Sequence, residues 1–272
     1  KAMRFRFALL HIFGILLLIS ACVSVPQSPP REISAFGLQE IFPLASQVDK
    51  ALVSARQGLI CTLSTQAQEV VIYKDKQRIN VLGGLAGFSY LSDLAIGLDG
   101  DLWLLDSVAR QIRKYSPEGK ATGILELKNC QQPTHIALLG DQTIYIYDAA
   151  PAEIICYSAL DGSELYRFGR FQLKQISSLS CNRDYLVAYS RADNQSRIFS
   201  TLGQWLRDEA GQTVFDVFNN AINLTGKTLK SSGSAAYLPL GKEVLHLGIE
   251  SDLLIMNQSS ELLMLKISYA NE

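Results

Sequence analysis

The chain has 272 residues, with 25 Lys and Arg against 26 Asp and Glu, a net charge of −1, and 48% hydrophobic residues. That length can bury a sizeable core, and the balanced charge excludes a strongly basic nucleic-acid binder and an acidic disordered chain. Charged residues, at 19%, fall below the ~25% of an average soluble protein, as expected for an apolar leader followed by many short buried strands.

The leader comes first. Lys1, Arg4 and Arg6 make a basic start, and Phe7 to Ala21 is an apolar run interrupted only by His11, Gly14 and Ser20. A basic segment, a short apolar segment and a small-residue exit read as a secretory signal, and the run is shorter than the ~18 residues of a spanning helix. Its last four residues, Ile19-Ser20-Ala21-Cys22, resemble the lipobox of bacterial lipoproteins. The resemblance implies cleavage before Cys22 and acylation of that cysteine, and several acyl chains hold a protein stably on a bilayer where one does not. Val23 follows the cysteine, not the Asp that marks inner-membrane retention in enteric-type sorting, so the resemblance favours the outer membrane, facing either the periplasm or the surface. Val23 to Arg31 (VSVPQSPPR) contains three prolines and two serines, the composition of an extended tether. The chain therefore divides into a signal peptide (1–21), a lipidated cysteine and tether (22–35), and one globular domain (36–272).

Within that domain a repeat emerges. Short apolar segments ICTLS (60–64), LWLLD (102–106), IYIYD (144–148) and LVAYS (186–190) end at Ser64, Asp106, Asp148 and Ser190, in equal steps of 42 residues; VLHLG (244–248) is a fifth such segment, 58 residues on. Nine residues beyond the first four endpoints stand Tyr73, Tyr115, Tyr157 and Phe199, which the pattern assigns to packing between repeats. The second unit shows four strands: Ser92 to Leu98, Leu102 to Leu105, Gln111 to Tyr115 and Thr122 to Leu127. The third and fourth are separated by Ser116-Pro117-Glu118-Gly119, a type I turn sequence. Four strands recurring every ~40–50 residues predict an all-β protein, a β-propeller of four-stranded blades. The period has a physical cause: a single four-stranded sheet cannot bury both faces, whereas sheets stacked around an axis bury each other's.

The stretch 91–120 (LSDLAIGLDGDLWLLDSVARQIRKYSPEGK) resembles NHL-type repeats through Asp99-Gly100, Asp106, Arg110, Ile112 and Gly119-Lys120. The third unit keeps His135-Ile136-Ala137, Asp148 and Asp161-Gly162, with Glu153 where an Arg is common. The resemblance implies an extracytoplasmic, often non-catalytic binding propeller. Five units are readable, leaving five or six blades: Gln212 to Gly226 fits either a short outer helix, with Phe215, Phe218 and Ile222 on one face, or two strands of a degenerate blade. Phe36 to Leu44 is a candidate to pair with the last blade and close the ring.

Few residues suggest chemistry. Strand-one starts and strand-two ends share a rim, which places Asp93 and His135 beside Asp106 and Asp148 as a candidate ligand-binding set. The competing reading ties both strand-end aspartates to backbone N–H groups of their own turns. His246, among apolar neighbours, reads as a buried structural histidine. No nucleophile elbow, phosphate loop, dinucleotide fingerprint or CxxC pair occurs. Cys61, Cys130, Cys156 and Cys181 leave disulfide pairing open, Cys130–Cys181 being one conceivable bridge. Trp103 and Trp205 read as packing residues. The expectation is a lipid-anchored, non-catalytic binding or scaffold propeller without cofactor or nucleic-acid partner, holding a protein or glycan on one rim. The alternative, implied by likeness of fold to propeller lactonases, is a calcium-dependent hydrolase.

Overall fold

The computed structural model describes residues 31–270 apart from 45–46, 55–56, 84–86, 232–233, 239–242, 251 and 259. The signal sequence and Cys22 lie outside the described residues. The domain is built from 24 strands in six antiparallel sheets of four. Blade 1 is β2 (Lys50–Ser54), β3 (Leu59–Ser64), β4 (Glu69–Lys74) and β5 (Gln77–Gly83); blade 2 is β6 (Leu91–Ile96), β7 (Leu102–Asp106), β8 (Gln111–Tyr115) and β9 (Ala121–Glu126). Blade 3 is β10 (Pro133–Leu139), β11 (Thr143–Asp148), β12 (Glu153–Ser158) and β13 (Glu164–Phe168); blade 4 is β14 (Ser178–Cys181), β15 (Tyr185–Ser190), β16 (Gln195–Ser200) and β17 (Trp205–Ala210). Blade 5 is β18 (Gln212–Phe215), β19 (Ala221–Thr225), β20 (Thr228–Ser231) and β21 (Ser234–Tyr237). Blade 6 joins β22 (His246–Glu250), β23 (Leu253–Asn257) and β24 (Glu261–Tyr269) to β1 (Ile33–Pro43).

Six blades therefore close the ring, and Gln212 to Gly226 supplies strands of a short fifth blade, not a helix. Closure uses the first strand: β1 lies antiparallel on β24 from Ile33↔Tyr269 to Pro43↔Glu261. The pairing begins inside the stretch assigned to the tether, because Ile33 is already buried in the cluster between blades 5 and 6. Joining the two ends of the domain in one sheet leaves no blade to unpeel from the ring.

The repeat is written in the backbone as well as in the side chains. A non-glycine residue with left-handed φ precedes the third strand of the first four blades: Gln68 (55°), Arg110 (53°), Ala152 (54°) and Asn194 (48°). At Tyr73, Tyr115, Tyr157 and Phe199 the pairing of the third strand with the fourth slips by one residue. Each of these aromatics is buried. Tyr73 meets Phe42 edge-on at 5.3 Å, Phe199 meets Phe168 at the same distance, and the Tyr157 hydroxyl donates to the Lys128 carbonyl at 2.9 Å.

The core is a series of six apolar clusters, one at each blade–blade seam. The seam between blades 4 and 5 is the smallest, with Val187, Ile198 and Phe215 at its centre. Polar contacts supplement it: Asn182 donates to the Asp216 carbonyl at 3.0 Å, Asn219 to the Asp184 carboxylate at 2.6 Å, and Ser196 to the Gly211 carbonyl at 2.7 Å. The segment VLHLG, read from sequence as a second strand, instead opens blade 6, with His246 as the first residue of β22. The second strand is LLIMN, and Asn257 stands where the first four blades carry Ser or Asp.

Candidate functional site

The innermost strands β2, β6, β10, β14, β18 and β22 surround the axis and enclose a central cavity of about 620 Å³. Their axis-facing backbone edges have no sheet neighbour, so N–H and C=O groups there must find other partners. The first residues of these strands meet at one end of the channel, and polar side chains satisfy some of those groups.

Asp93 is the centre of that hub. A register shift between Leu91 and Asp93 re-aims its side chain, and the same shift precedes His135 on β10. One carboxylate oxygen of Asp93 accepts from Lys50 Nζ at 2.8 Å and from its neighbour Leu94 N at 2.8 Å; the other accepts from Ile136 N at 2.9 Å. Blades 1, 2 and 3 are thus tied by one side chain that is only 3% exposed. Lys50 is likewise buried, so its charge needs the matched carboxylate.

His135 and His246 stand beside this pair. Burial pushes both imidazoles down, His246 to about 3; Lys50 adds to the depression and Asp93 opposes it. Both rings are therefore neutral at pH 7. His135 shares a 3.0 Å hydrogen bond between Nδ1 and Thr134 Oγ1. His246 is 4% exposed, and its Nδ1 has no hydrogen-bond partner among the described residues.

The structure separates the four residues singled out from sequence. Asp93 and His135 belong to the hub, together with Lys50 and His246. Asp106 and Asp148 lie fully buried at the ends of β7 and β11. Asp106 accepts from Ser89 N, Tyr90 N and Ala109 N at 2.7–3.0 Å, and Asp148 from Gln131 N and Gln132 N at 2.8 and 2.7 Å. Each fastens the incoming inter-blade connection to its own blade, so neither carboxylate is available to a ligand. The donor set does not fit a calcium cage: these two carboxylates are saturated by N–H groups and Asp93 is paired with Lys50. Among the described residues no group of three or more His, Cys, Asp or Glu is arranged to hold a metal ion.

Two hub residues escaped the sequence reading. Lys50 precedes the first recognised repeat and carries no motif. His246 was legible as buried, but its register was read one strand late; aligned as the start of a first strand, it falls in line with Asp93 and His135. The four cysteines outside the leader are free thiols. Cys130 sits in the seam between blades 2 and 3, and Cys181 Sγ donates to the Leu138 carbonyl at 2.9 Å. Burial pushes Cys61 and Cys181 up to about 12.

No family model matches the chain, and no curated protein does either. Solved structures do. Virginiamycin B lyase from Staphylococcus aureus superposes with a TM-score of 0.61 at 12% identity, over 86% of this chain and 100% of that one. A streptogramin B lyase gives 0.57 at 12%, over 86% and 98%. A catalytically inactive histidine-to-alanine variant of the Staphylococcus aureus enzyme with Quinupristin gives 0.57 at 14%, over 80% of each chain. At such identities the likeness shows the fold alone: a propeller.

Proposed function

We propose that this protein is a lipid-anchored envelope protein, tethered through Cys22, whose propeller works by binding a partner without chemistry. The carrying observation is the contrast between its two rims. On the strand-one-start rim, Asp106, Asp148 and the Lys50–Asp93 pair are consumed by internal bonds, and the depressed imidazole of His246 is a poor proton acceptor at neutral pH. On the opposite rim, the turns of four successive blades carry apolar tips: Leu98, Leu160, Leu202 and Val217 are 63%, 93%, 82% and 67% exposed. Val108 and Phe171 are exposed on the first rim, but there they stand singly; apolar tips on the turns of four successive blades form a crown, and a crown on one face marks an interaction surface. Apolar tips favour a protein partner over a glycan on this rim.

The anchor is supported by the lipobox resemblance, and the outer membrane by Val23 after the cysteine. Two measurements test the reading. Palmitate labelling lost in Cys22→Ser supports the anchor, and labelling that persists removes it. Crosslinking in intact cells with a photoreactive residue at position 160, followed by detergent extraction, should give a discrete adduct that Leu98→Asp/Leu202→Asp abolishes while the melting temperature is unchanged. An adduct insensitive to those changes refutes the rim assignment.

A further inference from the structure

The chain enters the propeller on the rim that carries the apolar crown. Strand β1 begins with Ile33 opposite Tyr269, the last residue of β24. That end of blade 6 is the one where Glu250 pairs with Leu253 and Leu253 with Lys266, away from His246 and Asn257. The entry is fastened to the turn that bears Val217. Asn220 of that turn donates to the Arg31 carbonyl at 2.6 Å, and the Arg31 guanidinium lies 5.5 Å from the centre of the Phe218 ring. Ala270 N donates to the Glu32 carbonyl at 2.8 Å. The point where the tether joins the domain is therefore fixed beside one of the four exposed tips.

Length then sets orientation. Cys22 and Arg31 are nine residues apart, a reach of at most about 32 Å fully extended and about 28 Å in the polyproline conformation. Strand β1 alone, 11 residues running from the crown rim to the hub rim, spans about 33 Å, and the inter-blade loops add to that thickness. A domain turned with its hub rim to the bilayer would hold Arg31 farther from the surface than the tether reaches. The crown is thus kept towards the membrane that holds Cys22.

The charge around the tips argues against the lipid surface itself as what they meet. Asp99 and Asp101 follow Leu98, Asp161 follows Leu160, and Asp141 and Asp184 stand in other turns of the same rim. Burial and the neighbouring carboxylates of Asp141 and Asp99 push the Asp101 carboxyl up, with Lys114 opposing them. Anionic headgroups repel such a rim. A protein surface can instead offer apolar pockets to the tips and basic groups to the acids.

We infer that the partner of the crown is a protein embedded in the same membrane as Cys22, and that it meets the tips with an apolar, basic-flanked face within about 30 Å of the bilayer. The inference rests on the lipid anchor and crown proposed above, and adds the class of partner.

Crosslinking in intact cells with a releasable tether tests it. Residues 24–30 are replaced, length for length, by a site-specific protease sequence. A photoreactive residue stands at 160 on the crown or at 171 on the hub rim, both positions being 93% exposed. After irradiation, membranes are cut at the tether and washed with alkaline carbonate, which strips peripheral proteins. The expected result is release of the uncrosslinked propeller by the cut, and retention of the position-160 chain as a protein adduct of higher mass. The position-171 chain should be released. Asp99→Lys/Asp161→Lys, at two exposed turn positions, should reduce the adduct several-fold. Absence of a protein adduct at 160, or release of that adduct by the cut, overturns the inference, the second outcome marking a soluble partner. Retention after the cut without gain in mass marks contact with lipid and also overturns it, as does equal retention from position 171 or an adduct that charge reversal leaves unchanged. Failure of the anchor looks different: carbonate then releases the chain before any cut, and the inference falls with the anchor.

Discussion

Asp93 joins three blades through one carboxylate, and its removal is the sharpest test of the hub. Asp93→Ala leaves Lys50 Nζ buried without a counter-charge and Ile136 N without an acceptor. Breaking a buried pair by removing one partner costs about 3–5 kcal/mol, and the orphaned Ile136 N–H, worth about 1–3 kcal/mol when unsatisfied, pushes the loss to the upper part of that range. For a chain of this size the loss lowers the melting temperature by roughly 6–20 °C. Lys50→Met is milder, about 2 kcal/mol, because Asp93 keeps the Leu94 and Ile136 N–H donors. The double variant Lys50→Met/Asp93→Asn removes both charges while leaving the side-chain oxygen that accepts from Ile136. It should lie within about 2 kcal/mol of the parent, far from the sum of the two losses, because neighbours that share one bond do not add. Urea unfolding of each chain reads these differences. An Asp93→Ala cost below about 1 kcal/mol, or strict additivity in the double variant, would mean that the pair is solvated, and the three-blade hub would be refuted.

Three further outcomes follow from the same geometry. His246, pushed down to about 3 from an ordinary 6.5, stays neutral in the folded chain while the unfolded chain takes up a proton; stability is therefore full above pH ~6.5 and falls by up to about 1.4 kcal/mol per pH unit below it. His135 acts in the same direction, and His246→Phe should flatten the slope of urea midpoints between pH 7 and 5; an unchanged slope contradicts the assignment. Gly211, the single residue between β17 and β18, has φ of +85°, and a Cβ there would lie 2.5 Å from the Leu224 carbonyl oxygen. Gly211→Ala should destabilise by more than about 1 kcal/mol, and hydrogen exchange should show blade 5 as the first region to open, since it is held by the smallest seam. Buried thiols at Cys61, Cys130 and Cys156 should resist Ellman's reagent at pH 8 in the native chain and react together in denaturant; rapid native labelling of Cys61 would contradict its burial.

The regular two thirds of the propeller was legible because four of its six blades keep the same length. Ser64, Asp106, Asp148 and Ser190 fall on one step, and the positions that follow them share a backbone conformation and a packing role. Blade 5 broke the count. Its strands are four or five residues long, and a pattern of alternate apolar residues so short serves a helix as readily as a pair of strands. With that blade unread, the next apolar run was taken for a second strand when it was a first, which hid His246 from its true neighbours. Ring closure was legible in Phe36 to Leu44, although the strand begins earlier. The hub was half legible: Asp93 and His135 stood at matching repeat positions, but Lys50 reaches Asp93 from another blade, and no local pattern encodes that contact.

The placement of function follows from how a ring of sheets satisfies its own centre. Six strand edges face the axis, and polar groups there must be paired or wet. This chain pairs them at one end, with a carboxylate, an ammonium and two neutral imidazoles, and in doing so uses up the rim where repeated acidic positions first suggested a ligand. Asp106 and Asp148 complete that internal use by fastening the loops that lead into blades 2 and 3. What remains unspent lies around the other mouth: leucine and valine tips facing solvent. A carboxylate that binds three N–H groups is part of the scaffold however well its spacing recurs.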